Sequence, residues 1–302
     1  MIILTTMIYQ KERVNEVITC LKKNLQIDIV EKYVIFIERK DGDEKFFNLI
    51  KSFDSIDLIE IDFRPTIKYM IEYVNDNYKD QICDITNSDI LYDDTLNKLS
   101  NIDFNICYLA LTRYNILNHT DKENYKYKGS VIDYKLKNTE TNIKLKTMHS
   151  LGQSADSWFF KAPLKIDNID IDFPLGTFSG DGYLNDQLSL NKEVYNPVND
   201  IISIHLHKNW NPNHYKQVNH SSRTFWKKKY RLNELMIPFC QLKDCPLKNC
   251  KNKDQVESRE KHKKIIKLQK KMREEQNSGE ISNLKFVKKK SKIGMNFTEK
   301  SN

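Results

Sequence analysis

The chain has 302 residues, 39% hydrophobic and 30% charged, enough for one sizeable core and too apolar for wholesale disorder. No apolar run reaches the roughly 20 residues of a bilayer-spanning helix, and Met1 to Tyr9 lacks the basic flank and long apolar run of a signal peptide, so a soluble, intracellular protein is expected. The net charge of +8 hides an asymmetry, since residues 221–302 hold 23 Lys and Arg against 9 Asp and Glu while residues 1–220 carry a net −6.

Short apolar runs alternate with helix-spaced segments through the first 115 residues, the pattern of βα units around a mainly parallel central sheet flanked by helices. The spacing predicts a strand over Ile2 to Ile8, a helix over Lys11 to Gln26 and a strand over Tyr33 to Glu38. A helix over Asp43 to Phe53 and a strand over Asp57 to Asp62 follow. Ile67, Met70, Ile71, Val74 and Tyr78 mark a third helix, and the strand Ile82 to Thr86 runs directly into Asn87, Ser88 and Asp89. Leu91, Leu96 and Leu99 then suggest another helix, and Asn105 to Thr112 a further strand.

From Asn118 to Lys146 the chain is polar with weak periodicity and reads as a surface loop. Ser154 to Lys161 is an aromatic strand, Asp172 to Gly182 a glycine-bearing loop, and Ile201 to His207 a strand with two histidines. Beyond 221 composition turns to lysine: a helix over Val256 to Glu275 has only a narrow apolar stripe of Ile265, Leu268 and Met272, and 276–302 reads as disordered. The expected organisation is thus a domain over 1–220 and a lysine-rich, helical or disordered tail over 221–302.

Asn87 and Asp89 follow a strand that should lie inside the sheet, where ligands of open α/β sheets bind. A carboxylate and an amide carbonyl two residues apart can share a hard divalent cation; equally, they can form a turn or cap the next helix. His205 and His207 point to one side of a strand, as metal ligands or a base, or else as one core and one surface histidine. Asp156 precedes an aromatic strand able to wall a sugar or base pocket, and Asp181, between Gly180 and Gly182, can sit at a loop tip as a base. Alternatively each is a turn residue.

Phosphate-loop, dinucleotide-fold, nucleophile-elbow and zincin motifs are all missing, which disfavours those four enzyme classes. Cys240, Cys245 and Cys250, with His220 and His262 nearby, invite a zinc reading, but the spacing is long for a structural site and free thiols in a reducing compartment fit better. The lysine clusters read first as a solvated helix and tail; if they bind anything it is polyanions, weakly through counterion release and without sequence readout.

Together these pieces resemble the GT-A type glycosyltransferases, in particular a glycosyltransferase-like group of viral and microbial genomes. The resemblance rests on Ile2 to Thr6, the D-x-D-like Asn87-Ser88-Asp89, Ala110 to Tyr114, Ser154 to Phe160, Phe173 to Gly176, Asn196-Pro197 and His205-Leu206-His207, and it covers residues 1 to about 215. It implies the GT-A nucleotide-diphospho-sugar transferase fold, a nucleotide-sugar donor and a glycan or protein acceptor. Thr5 and Thr6 would lie near the nucleotide with Asn87, Ser88 and Arg113. Asp89, with His205 or His207, would hold Mn²⁺ or Mg²⁺ on the diphosphate, and Asp181, with Asp156 second, would take the acceptor proton. Asn87 departs from the carboxylate common at its position, which leaves a non-catalytic nucleotide-sugar or glycan-binding protein as the alternative. The implied location is the cytoplasm, or the host cytoplasm or virion for a viral chain.

Overall fold

Two-residue alternation in the apolar runs feeds two cores at once, because successive strand side chains face opposite sides of a sheet. The structure, a computed structural model, describes residues 1–38, 44–117, 129–135, 142–147, 154–177, 180–206, 234–248 and 253–277. Strands β1 (Ile2–Ile8), β2 (Lys32–Glu38), β3 (Ile56–Ile61), β4 (Ile82–Thr86), β6 (Cys107–Thr112), β10 (Ala155–Lys161) and β11 (Glu193–Tyr195) form one sheet in the order β11-β6-β10-β4-β1-β2-β3. Every pairing is parallel except those of β10 with β4 and β6, so the expected mainly parallel α/β sheet is present.

On one face Ile3, Ile35, Leu109 and Phe159 pack with helices α1 (Val14–Asn24) and α2 (Glu44–Lys51); on the other, Leu4, Phe36, Ala110 and Trp158 pack with α3 (Ile67–Asn77) and α4 (Gly180–Leu188). The aromatic strand is therefore core and not a pocket wall: Trp158, Phe159 and Phe160 are at most 3% exposed. Asp156 lies within that strand, one residue after its start.

A second sheet replaces two expected features. The chain after Asp89 forms β5 (Ile90–Tyr92) and then a 3₁₀ turn over Asp94–Asn101, where an α-helix was expected. The polar stretch read as a loop contains an antiparallel pair, β8 (Val131–Lys135) and β9 (Asn142–Thr147). With β7 (Tyr114–Ile116) and β12 (Ser203–His205) these make a sheet ordered β5-β12-β7-β9-β8 over a small core of Tyr114, Leu145, Val198, Ile202 and Ile204. Its outermost strand β8 alternates exposed and half-buried residues, which gave little hydrophobic signal.

The described part of the lysine-rich region is docked. Leu235 and Ile237 enter the sheet core, and the Leu235 amide donates to the Gly182 carbonyl. The last helix, α5 (Lys253–Asn277), buries Ile265 and Met272 but leaves Leu268 46% exposed. His262, near the middle of α5, lies 2.6 Å from the Val194 carbonyl and stacks on Tyr195, so the helix covers the edge strand β11. Arg259 pairs with Glu193 and Arg273 with Asp186. The segment 278–302 lies outside the described residues.

Candidate active site at the junction of two sheets

Strands β4 and β6 each leave the large sheet at their carboxyl ends and continue into the small one, as β5 and β7. The connecting residues are Asn87 to Asp89 in the first case and Arg113 in the second. Strand β10 runs antiparallel between them, so its amino end brings Asp156 to the same rim. His205 closes β12, whose register sets it opposite Ile90 and Asn115. Strand pairing thus gathers residues spread over more than a hundred positions.

Asp89 is buried, and its Oδ2 lies 3.0 Å from His205 Nε2 and accepts a hydrogen bond from Arg13 Nη2. Burial would raise its pKa, but His205, Arg13 and Arg113 together hold the carboxyl well below the usual range. Burial and the Arg113 charge pull His205 below its ordinary value despite Asp89, so the permanent charge facing Asp89 is that of arginine. Nδ1 of His205 lies 3.2 Å from Asn115 Oδ1, which helps fix the ring.

Asp156 accepts from Arg113 Nη1 at 2.7 Å and from Asn87 Nδ2 at 2.5 Å. Its pKa is raised, burial outweighing the pull of Arg113. Asp181 stands in the first turn of α4 and not at a loop tip. It keeps some surface accessibility, yet surrounding protein and the negative charge of Asp156 push its pKa up to about 8. Asp89, Asp156, Asp181, Arg113, Asn87 and His205 therefore form one electrostatic group; His207 lies outside the described residues.

Thr6 and Ser88 line a neighbouring cleft with Gln10, Arg13 and Arg64, whereas Thr5 is fully buried and its hydroxyl has no hydrogen-bond partner among the described residues. The cleft opens beside the carboxyl ends of β1 and β2, from which Ile8 and Glu38 also reach it. Sequence patterning missed Arg13 and Arg64; their only signal is position, one just after β1 and the other just after β3. It also missed Asn24 on α1, which donates to the Ile90 carbonyl and accepts from the Tyr92 amide, pinning the strand that follows Asp89.

The divalent cation implied by the resemblance does not find a donor set among the described residues, which leave out His207. Among the described residues no three His, Cys, Asp or Glu side chains are arranged to hold a metal. At Asp89 the donors seen among the described residues are that carboxylate and His205, and the shared oxygen already holds a guanidinium. Of the residues in the zinc reading, Cys240 and Cys245 form no disulfide among the described residues, His262 lies against the Val194 carbonyl, and Cys250 and His220 lie outside the described residues.

No protein-family model and no curated protein matches the sequence. Among solved structures the chain is similar to residues 1–349 of S. aureus TarS in complex with UDP-GlcNAc, at 10% identity and a TM-score of 0.49 over 77% of this chain and 65% of that one. It is also similar to the mannosyltransferase PcManGT from Pyrobaculum calidifontis in complex with GDP-Man and Mn²⁺, at 11% identity and a TM-score of 0.45 over 77% of this chain and 61% of that one. The inositol-1-phosphate CTP transferase of T. maritima is similar at 9% identity and a TM-score of 0.35, with 75% of this chain covering 95% of that one. The chain thus spans less than two thirds of the first two structures.

Proposed function

We propose that the chain is a glycosyltransferase that moves a sugar from a nucleotide-diphosphate donor to a hydroxyl of a glycan or protein acceptor. The observation that carries this reading is the pairing, at one rim of the sheet, of a carboxyl with a pKa near 8, Asp181, with an ionised carboxylate flanked by arginine and histidine, Asp89. A base that titrates near neutral pH suits removal of an acceptor proton. Fixed cations beside it suit a leaving diphosphate, whose negative charge grows as the bond to the sugar breaks.

In an inverting transfer the acceptor oxygen forms its bond to the anomeric carbon as the carbon–oxygen bond to the diphosphate breaks. The acceptor proton passes to Asp181, and the nucleoside diphosphate departs with the bonding electrons. Asp156, already held by Arg113 and Asn87, serves to orient Arg113. Thr6, Ser88 and Gln10 would contact the nucleotide in the cleft they line. The exposed lysines of α5, Lys261, Lys264, Lys267 and Lys271, would add weak attraction for polyanions.

The test is a donor-hydrolysis and transfer screen across UDP-, GDP- and dTDP-sugars, run with the parent and with Asp181→Asn. Turnover by the parent, lost in Asp181→Asn while nucleotide binding persists, is the expected result. Donor binding with no turnover under any condition would instead identify a non-catalytic nucleotide-sugar binder, and binding of neither donor nor nucleotide would end the proposal.

A further inference from the structure

We infer that this site meets the charge of a nucleoside diphosphate with arginine, Arg13 foremost and Arg64 beside it, in the place where a divalent cation would otherwise sit. The inference rests on the nucleotide-sugar reading above and specifies how its donor is held.

Three features converge on Arg13. It stands in the turn directly after β1, at the carboxyl end of a parallel strand, and it lines the cleft together with Thr6 and Ser88. Its Nη2 donates to Asp89 Oδ2, the carboxylate oxygen that also faces His205, and its Nε lies 3.3 Å from Glu16 Oε2, so two carboxylates fix the plane of the guanidinium. A guanidinium carries five N–H donors, of which these contacts use the Nε–H and one on Nη2. The remaining edge can meet two phosphate oxygens in the fork geometry that a point-charge cation lacks.

A divalent ion would have to reach Asp89 past this fixed positive group, and among the described residues the side chain facing the same oxygen as a second donor is His205. Arg64 adds a second cation to the same cleft. Its Nη2 donates to the Leu175 carbonyl at 2.7 Å, which anchors the side chain on the loop that turns at Gly176. Gly176 has φ +76°, a conformation that side chains rarely adopt, so the loop presents that carbonyl through a residue type few others could replace. On this assignment Asp89 is a positioning residue for Arg13 and not a metal ligand.

The decisive experiment is titration calorimetry of UDP and GDP into the full chain, once with EDTA and once with Mn²⁺, together with Mn²⁺ alone followed by its electron paramagnetic resonance signal. The expected result is a nucleotide Kd that changes less than about twofold between EDTA and Mn²⁺, and a free-ion Mn²⁺ spectrum in the presence of protein. Arg13→Gln should weaken binding about tenfold or more, the size of loss expected when a charge-assisted contact to phosphate is removed, with Mn²⁺ giving no rescue and Arg13→Lys an intermediate value. Nucleotide binding that disappears in EDTA, or Mn²⁺ bound by the nucleotide-free chain and released in Asp89→Ala, would overturn the inference while leaving the transferase reading intact. Binding of neither nucleotide in any buffer overturns both. Should Arg13→Gln fail to fold by circular dichroism, the EDTA comparison on the parent chain still decides the matter.

Discussion

Asp181 and Asp89 carry the same carboxyl group and hold it in opposite states. Asp89 faces Arg13 and His205 and stays ionised; Asp181 faces Asp156 and is protonated below about pH 8. Under the proposed mechanism only ionised Asp181 accepts a proton, so kcat/KM of the parent should rise with pH through about 8 in a pH–rate profile. A second buried carboxyl makes a stability prediction. Asp84 is fully buried, accepts from the Tyr92 hydroxyl at 2.6 Å, and burial pushes its pKa up to about 8 from 3.8. The folded chain therefore holds this proton where the unfolded chain has released it. Its stabilising contribution is complete below pH 3.8 and is lost progressively as pH rises to about 8. Thermal melts should show the parent losing stability across that window and Asp84→Asn losing less, since the amide keeps an acceptor for Tyr92 and has no proton to lose. Sequence reasoning passed over Asp84 although the strand's expected place inside the sheet, here between β1 and β10, is what buries it; the alternation along the strand gives no sign of its partner, the Tyr92 hydroxyl.

At the level of elements, the parallel half of the large sheet was legible because β1, β2, β3 and β4 alternate with helices whose apolar faces repeat at helical spacing. The small sheet was not, since β5, β7 and β12 are three residues each and draw their order from pairing partners far along the chain. The leucines after Asp89 mimic helix spacing, but Leu91 belongs to β5 while Leu96 and Leu99 lie in a 3₁₀ turn. Gly180 and Gly182 suggested a loop by composition. Yet they open α4, where Asn185 accepts from the Trp158 indole at 2.9 Å and its carbonyl from the Tyr108 hydroxyl at 2.8 Å, so tertiary bonds override weak propensity. The candidate site was half legible: Asn87, Asp89, Asp156, Asp181, Arg113 and His205 do assemble, whereas the arginines that charge the cleft carry no motif. Helix α5 offers a direct test of docking. Met272 is 2% exposed, and Met272→Ala should destabilise the chain by about 2–5 kcal/mol in a denaturant titration, whereas the same change at a solvated helix would cost almost nothing.

Across the whole molecule, charge is divided by position and joined by contact. The lysine-rich region carries a surplus of +14 and the first 220 residues a deficit of −6, and part of that difference is spent where Arg259 and Lys263 meet Glu193 and Arg273 meets Asp186. The Arg273–Asp186 pair is nearly buried, so salt screens it weakly; Arg273→Ala, which removes the guanidinium paired with Asp186, should lower stability by about 3–5 kcal/mol and do so with little dependence on ionic strength in denaturant melts. Among the described residues no helix is long and apolar enough to cross a membrane. Strand β11 borders one end of the large sheet and would expose a row of unpaired backbone groups were α5 removed. Shortening the chain before residue 234, a natural way to isolate the compositionally ordinary part, would bare that rim along with the sockets for Leu235 and Ile237. Such a fragment should self-associate on light scattering where the whole chain does not, so the lysine-rich segment acts as a shield for its own protein as well as a carrier of positive charge.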